Sequence, residues 1–349
     1  MKLADQLRSS AAHCHPTCPL THRLLVEAAD DLTAGGITAQ VLAGAEHDPP
    51  GSVPGLRLAA ALHRLVLTRR APLLALHYPT VGGQPRLESL WSDARQALQD
   101  HTELAAWWVR ATAVQTNEVG RSAPLWGGLQ VAAQHADGLG VRLLEVGASA
   151  GLNLRPDRIA YTVDGRMLGA PDSVLQLDPQ WSGRPPADLR AQLRVRARAG
   201  CDLHPVDSAT TDGRAHLCSF VWPSDAVRWD RLRSALDLAA AEPVTVRRES
   251  GPDFLAVELA GCHPGQLTVV WHSVVWQYVN LADRERGRAV LAEAAARATV
   301  DAPLALLVYE SVRAGIGFRF ELRLRLWPHA PQQVLLGHGG GHGIPFTWA

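Results

Sequence analysis

The stretch 143-LLEVGASAGLNL-154 carries two signatures at once, and each implies a different fold. Gly147-Ala-Ser149-Ala-Gly151 spells Gly-x-Ser-x-Gly, the turn that exposes a nucleophilic serine on an α/β-hydrolase sheet. Read together with Glu145, the same residues spell Glu-x-Gly-x-Ser-x-Gly, close to the glycine-rich turn that holds S-adenosylmethionine. Both signatures belong on a turn between a strand and a helix, so the surrounding chain decides between them.

The first ~135 residues read as helices. Apolar residues recur at helical spacing in 55-GLRLAAALHRLVLTRR-70, 87-LESLWSDARQALQDH-101 and 102-TELAAWWVRATAVQT-116, with a Pro- and Gly-containing loop at 79–86. The pattern then changes. Strand-like runs fall at 141–147, 193–200, 244–249, 267–274 and 304–312, with helical stretches at 224–241 and 282–299. Alternating apolar strands and helices predict an α/β protein: a Rossmann-like, methyltransferase-type, mostly parallel sheet with helices on both faces, preceded by an N-terminal helical region. Segments 318–327 and 332–338 alternate at period two and predict a terminal antiparallel pair. The expected division is a helical cap over 1–138 and an α/β core over 139–349.

A hydrolase elbow follows a mid-sheet strand and has an HGGG-type loop upstream. Here helices precede the turn, and 338-HGGGH-342 lies far downstream. The cofactor turn follows the first strand, which is where 143–154 falls. Gly147 and Gly151 leave backbone without Cβ for a close ligand. Glu145 at the strand end suits an ammonium group. Ser149 stands where glycine is commoner, and Asn153 belongs to the same turn. Asp202, at the tip of the second strand in 198-RAGCDLHPVDS-208, is placed to accept ribose hydroxyls, or serves as a turn or cap carboxylate. Asp207 reads as a cap.

Two further segments carry chemistry. Gln115, Asn117, Glu118 and Arg121 are packed into 115-QTNEVGRSAP-124. On a helix, Asn117 and Arg121 share a face. The segment is expected to wall the cofactor or substrate, the alternative being a helix end with a surface Arg–Glu pair. In 268-TVVWHSVVWQYVN-280, His272 is a candidate general base, with Ser273, Trp276 and Gln277 as substrate contacts. Trp276 and Tyr278 suit stacking on a planar or cationic group. Glu310 ends the fifth strand on the expected ligand edge, the alternative being a salt bridge to Arg313. Metal ligation by His13, Cys14, His15 and Cys18 is the weaker reading of 13-HCHPTCP-19, because a closed zinc site needs paired ligands. His338 and His342 are the only distant complement considered.

Lys+Arg and Asp+Glu balance at 34 each, and Lys2 is the only lysine. No basic face points to nucleic acid, and no apolar run approaches the ~18–20 residues that span a bilayer. Without an apolar leader segment, a cytoplasmic protein is expected. Five cysteines do not suggest a disulfide framework. Oligomeric state is not legible.

The runs 115-QTNEVGR-121, 144-LEVGASAGLNL-154, 200-GCDLHPVD-207, 221-VWP-223 and 271-WHSVVWQY-278 resemble an uncharacterised bacterial family, domain of unknown function 2332. The resemblance covers about residues 20–330 and implies a Rossmann-like methyltransferase-type core, with no established substrate or reaction. The leading expectation is S-adenosylmethionine-dependent methyl transfer to a small molecule, with no metal. The alternatives are a non-catalytic adenosyl-ligand binder and a hydrolase using Ser149.

Overall fold

The computed structural model describes residues 2–14, 18–48, 51–111, 114–315 and 317–349. Its helices are α1 (Leu3–Cys14), α2 (Pro19–Thr33), α3 (Ile37–Val41), α4 (Pro54–Leu67), α5 (Pro72–Ala75), α6 (Leu90–Asp100), α7 (Thr102–Ala111), α8 (Ser122–His135), α9 (Thr211–Ser219), α10 (Ala226–Ala241), α11 (Gly251–Glu258) and α12 (Leu281–Arg297). Proline opens α2, α4 and α5, where its missing N–H costs no helical bond. The side chains of Thr210, Ser250 and Asn280 cap α9, α11 and α12.

Compactness divides the chain into two units, Met1–Thr116 with Asp207–Arg233, and Asn117–Val206 with Ser234–Ala349. This division runs elsewhere than the expected cut at 138. Residues 117–138 go with the sheet because α8 packs on it, and 207–233 return to the helical unit because α9 packs on α4.

The helical unit is built around α4. Leu58, Leu62 and Leu65 join Leu20, Leu24 and Leu98 in its core. Arg57, His63 and Arg64 are buried on the same helix, so each needs polar partners. Arg57 donates to the Val109 carbonyl and pairs with Asp48. Arg64 reaches Asp212 of α9 at 2.6 Å and lies over the Trp108 ring. His63 bonds the Ser219 carbonyl through Nδ1, which fixes Nε2 as acceptor for the Thr80 hydroxyl.

The second unit holds a nine-stranded sheet and a three-stranded one. The strands are β1 (Gly140–Val146), β2 (Ala160–Val163), β3 (Arg166–Gly169), β4 (Gln176–Leu177), β5 (Trp181–Ser182), β6 (Val195–Asp202), β7 (Val246–Arg248), β8 (Gln266–Ser273), β9 (Leu304–Ala314), β10 (Gly317–Trp327), β11 (Ala330–Gly339) and β12 (Phe346–Trp348). The large sheet runs β5-β12-β11-β10-β9-β8-β1-β6-β7. From β7 to β9 all pairs are parallel, while β9 to β12 are antiparallel. The chain therefore leaves β1 toward β6 and β7, then returns to build on the other side from β8. That reversal between β1 and β8 is where open α/β sheets form a crevice at their carboxyl ends.

Both faces of the parallel part are covered. Leu144, Val270 and Leu304 meet Phe254, Leu255 and Ala294 from α11 and α12. Leu143, Val269 and Leu307 meet Leu125, Leu129 and Ala132 from α8. This explains why the strands are apolar at consecutive positions, and why they were legible as runs.

Three local expectations change. The helix over 102–116 ends at Ala111, and 114–118 is irregular before a 3₁₀ turn at Val119–Arg121. A helix running through 117–121 would meet Pro124, whose ring collides with the carbonyl four residues earlier. Asn117 and Arg121 are thus not on one helical face. The turn after β1 leads into two 3₁₀ turns, Leu152–Leu154 and Pro156–Arg158, instead of an α-helix. Glu310 lies inside β9, which runs on to Ala314.

Burial lowers the pKa of His63 and of His216 to about 4. Between about 4 and the ordinary 6.5 the unfolded chain then binds more protons, so stability falls as pH drops through that window. Each histidine contributes on the order of 3 kcal/mol to this slope. We expect the step from pH 7 to pH 5 to lower the urea midpoint of the wild type relative to that of His63→Gln. Equal slopes in the two proteins would show that His63 is not held neutral.

Candidate functional site

The residues singled out in the second unit converge on the carboxyl edge of β1, β6, β8 and β9. Gln115 is the exception, because it belongs to the helical unit, so the QTNEVGR block is shared between the two.

The turn 147–151 is fixed by hydrogen bonds at every N–H. Gly147 and Ala148 both donate to the Cys201 carbonyl at 2.9 Å, and Gly151 donates to the Ala148 carbonyl. Ser149 donates to Asp202 Oδ2 at 2.8 Å. Ala150 and Leu152 donate to Asn117 Oδ1. Asn153 accepts from the Ser122 hydroxyl at 2.7 Å and donates to the Glu118 carbonyl. No main-chain donor of the turn is left to cradle a phosphate, and Ala150 N–H, which an oxyanion would need after a Ser149 nucleophile, is committed to Asn117.

The glycines have a different task from the one expected. Gly147 and Gly151 adopt φ of +75° and +68°, a region that side chains disfavour. A Cβ on Gly147 would lie 2.4 Å from Val275 Cγ2, and one on Gly151 would meet Val246 and Leu154. The room they leave is filled by protein, so they serve turn geometry and close packing. Ser149 and Val274 also adopt positive φ, +54° and +53°. For β-branched Val274 this is strained, and such strain clusters at functional sites.

Asp202 ends β6 as expected. Its Oδ1 accepts from His204 N–H and its Oδ2 from Ser149 N–H, both at 2.8 Å. It is therefore a turn carboxylate that pins the loop, with lone pairs remaining on both oxygens.

Glu145 lies opposite Gly200 on β6 and Trp271 on β8, 2% exposed. Its Oε2 has no hydrogen-bond partner among the described residues, and neither does Ser149 Oγ. Burial pushes the Glu145 carboxyl up to about 8, against the pull of the Trp271 side chain and Arg121.

His272 and Glu310 form a bonded pair. Glu310 Oε1 accepts from His272 Nδ1 at 2.7 Å and from the N–H groups of Val275 and Trp276. With Nδ1 as donor, Nε2 carries the lone pair, the form a general base requires. The pair stands in place of a bridge to Arg313, the alternative reading of Glu310. Trp276 stacks on the His272 ring at 5.3 Å, and the Arg284 and Arg288 guanidinium groups lie over the same indole. Arg121 donates to the carbonyls of Gly341 and Ser273. Burial lowers its pKa, opposed by Glu118 and Glu310. Glu118 accepts from Gly120 N–H and pairs with His342, a partnership sequence reasoning did not find.

His15 lies outside the described residues. His13 is exposed and bonded to the Ser9 carbonyl, while Cys14 and Cys18 are buried. Among the described residues, no group of three or more His, Cys, Asp or Glu could hold a metal ion. No helix among them is long and apolar enough to cross a membrane.

With a folded pKa of about 8 against 4.5 unfolded, Glu145 makes the folded state the better proton binder between those values. Stability then falls as pH rises from 4.5 to 8. We expect Glu145→Gln to match the wild type near pH 4.5 and to be more stable at pH 8, by up to ~4 kcal/mol. A variant less stable than wild type at pH 8 would mean that the carboxylate is charged and held.

No curated protein and no solved structure matches the chain. A family match does cover residues 4–348, almost the whole of both units. The chain belongs to that family, DUF2332, described as an uncharacterized protein conserved in bacteria.

Proposed function

We propose that the carboxyl edge of the second unit binds S-adenosylmethionine and that the protein transfers its methyl group to a small molecule. The observation that carries this reading is that two adjacent strands at the β1/β8 reversal bear near their carboxyl ends the Glu145 carboxyl, with Oε2 unpartnered, and the Glu310-oriented His272. The order β7-β6-β1-β8-β9, all parallel, supports a Rossmann-like core of methyltransferase type.

The residues fit such a ligand in three ways. Glu145 has a buried oxygen without a hydrogen-bond partner, and a ligand amine brought there would take the carboxyl proton to give an ammonium–carboxylate pair. Asp202 retains lone pairs for hydroxyl groups after bonding the loop. Ser149 Oγ is a second open polar atom in the same turn. When bound, the sulfonium supplies an already activated methyl group. The chain's own tasks are then positioning and removal of one proton. His272 Nε2 takes that proton from the nucleophile, and Glu310 holds the imidazolium. Trp276 offers a flat wall beside it, and Arg121 fixes the backbone of Ser273 below.

Calorimetric titration with S-adenosylhomocysteine tests the binding half. We expect a Kd in the micromolar range, on the order of −8 kcal/mol, weakened at least tenfold in Glu145→Gln. Asp202→Ala is the poorer probe, because it also releases Ser149 N–H. No heat with the wild type would remove the proposal.

His272→Ala tests the catalytic half. We expect unchanged S-adenosylhomocysteine affinity and a loss of ~10²–10⁴ in turnover in a methyl-transfer screen. Binding without turnover of any substrate would favour an adenosyl-ligand binder that catalyses nothing.

A further inference from the structure

A cleft of about 500 Å³ opens on the second unit, away from the carboxyl edge. Its origin is a missing width of sheet. Strand β6 is paired with β1 from Val195 onward, but with β7 only from Gly200 to Asp202. Residues 195–199 therefore have a strand neighbour on one side only. The chain from Glu242 to Thr245, leading into β7, forms the opposite wall.

The charged lining is Arg158, Arg196, Arg198 and Arg247 against Glu242 and Glu258, four positive groups to two negative. Three of the arginines already have carboxylate partners. Arg198 is bidentate to Asp157, Arg158 pairs with Glu242 at 3.1 Å, and Arg247 pairs with Glu258 at 2.7 Å. Arg196 is exposed and has no ion-pair partner among the described residues.

We propose that this cleft binds a small organic phosphate monoester, its phosphate on Arg196 and its organic body against the apolar wall. With Asp157 on Arg198 and Glu249 as well as Glu258 on Arg247, Arg196 is the one guanidinium of the lining left without a carboxylate among the described residues. A phosphate monoester presents three strong acceptor oxygens to that free fork, whereas a carboxylate presents two. Guanidinium forks match phosphate oxygens in pairs. The volume is several times that of the anion alone and falls in the range of small-molecule sites. Val195, Ala197, Pro243 and Val244 give the rest of the ligand an apolar surface. The inference does not depend on the carboxyl-edge reading, since it uses none of those residues.

The test is titration of the full chain with phenyl phosphate, inorganic phosphate and benzoate at low salt and pH 7.5. We expect phenyl phosphate to bind with a Kd of about a millimolar or tighter. Inorganic phosphate should be several-fold weaker and benzoate at least tenfold weaker. Arg196→Ala should weaken phenyl phosphate at least fivefold, and Arg196→Glu should abolish it. Arg325→Ala, an exposed arginine of β10, should leave it unchanged. Because Arg196 is exposed, both variants should keep the wild-type melting transition, recorded in parallel.

No binding by wild type, equal losses in the Arg196 and Arg325 variants, or benzoate as tight as phenyl phosphate would each overturn the proposal. Inorganic phosphate as tight as phenyl phosphate would overturn the role of the apolar wall.

Discussion

The hydrogen bond from Ser149 N–H to the Asp202 carboxylate ties the end of β1 to the end of β6. It holds Ser149 at positive φ, and that bend turns Ala150 and Leu152 toward Asn117. Asn153 then reaches the start of α8 through Ser122. A charge-assisted bond of this kind is among the stronger ones a loop can make. The carboxyl edge thus becomes one bonded layer. Its main-chain donors are spent on the protein itself. Among its buried side-chain atoms, Glu145 Oε2 and Ser149 Oγ have no hydrogen-bond partner among the described residues. A glycine-rich sequence is often read as backbone offered to a ligand, and here it is backbone withdrawn from one.

Much of the architecture was legible. The central strands β1, β8 and β9 showed as apolar runs because α8 buries one face and α11 and α12 the other. The antiparallel end showed through the period-two alternation of β10. Strands β2 to β5 were missed, being two to four residues long, too short for a period. The return of 207–233 to the helical unit was not legible, because local pattern says nothing about which distant helix a segment joins.

At the site, residue types were easier to find than their tasks. Glu145, Asp202, His272 and Glu310 do gather at one edge. Yet Asp202 and Asn117 are engaged by the turn, and the glycines make room for Val275, Val246 and Leu154. Apart from the Gly151–Leu154 contact, those assignments depend on which atoms meet across 33 to 128 residues of chain, and no spacing rule reports that. The Glu118–His342 pair belongs to the same class. The one available hint was chemical: a buried acid before a glycine and a buried histidine after apolar residues each require a partner.

The discontinuous helical unit has a consequence for how the protein is made. The ribosome delivers α1 to α7 first, but the face of α4 that carries His63 and Arg64 is satisfied by Ser219 and Asp212. Those residues emerge roughly 150 positions later, at ordinary synthesis rates some ten to thirty seconds. During that interval β1 and β6 have also been made, while two polar side chains meant for burial stay in water. The apolar core of these helices, Leu7 to Val109, is available as soon as they are made, while the polar face of α4 waits for α9.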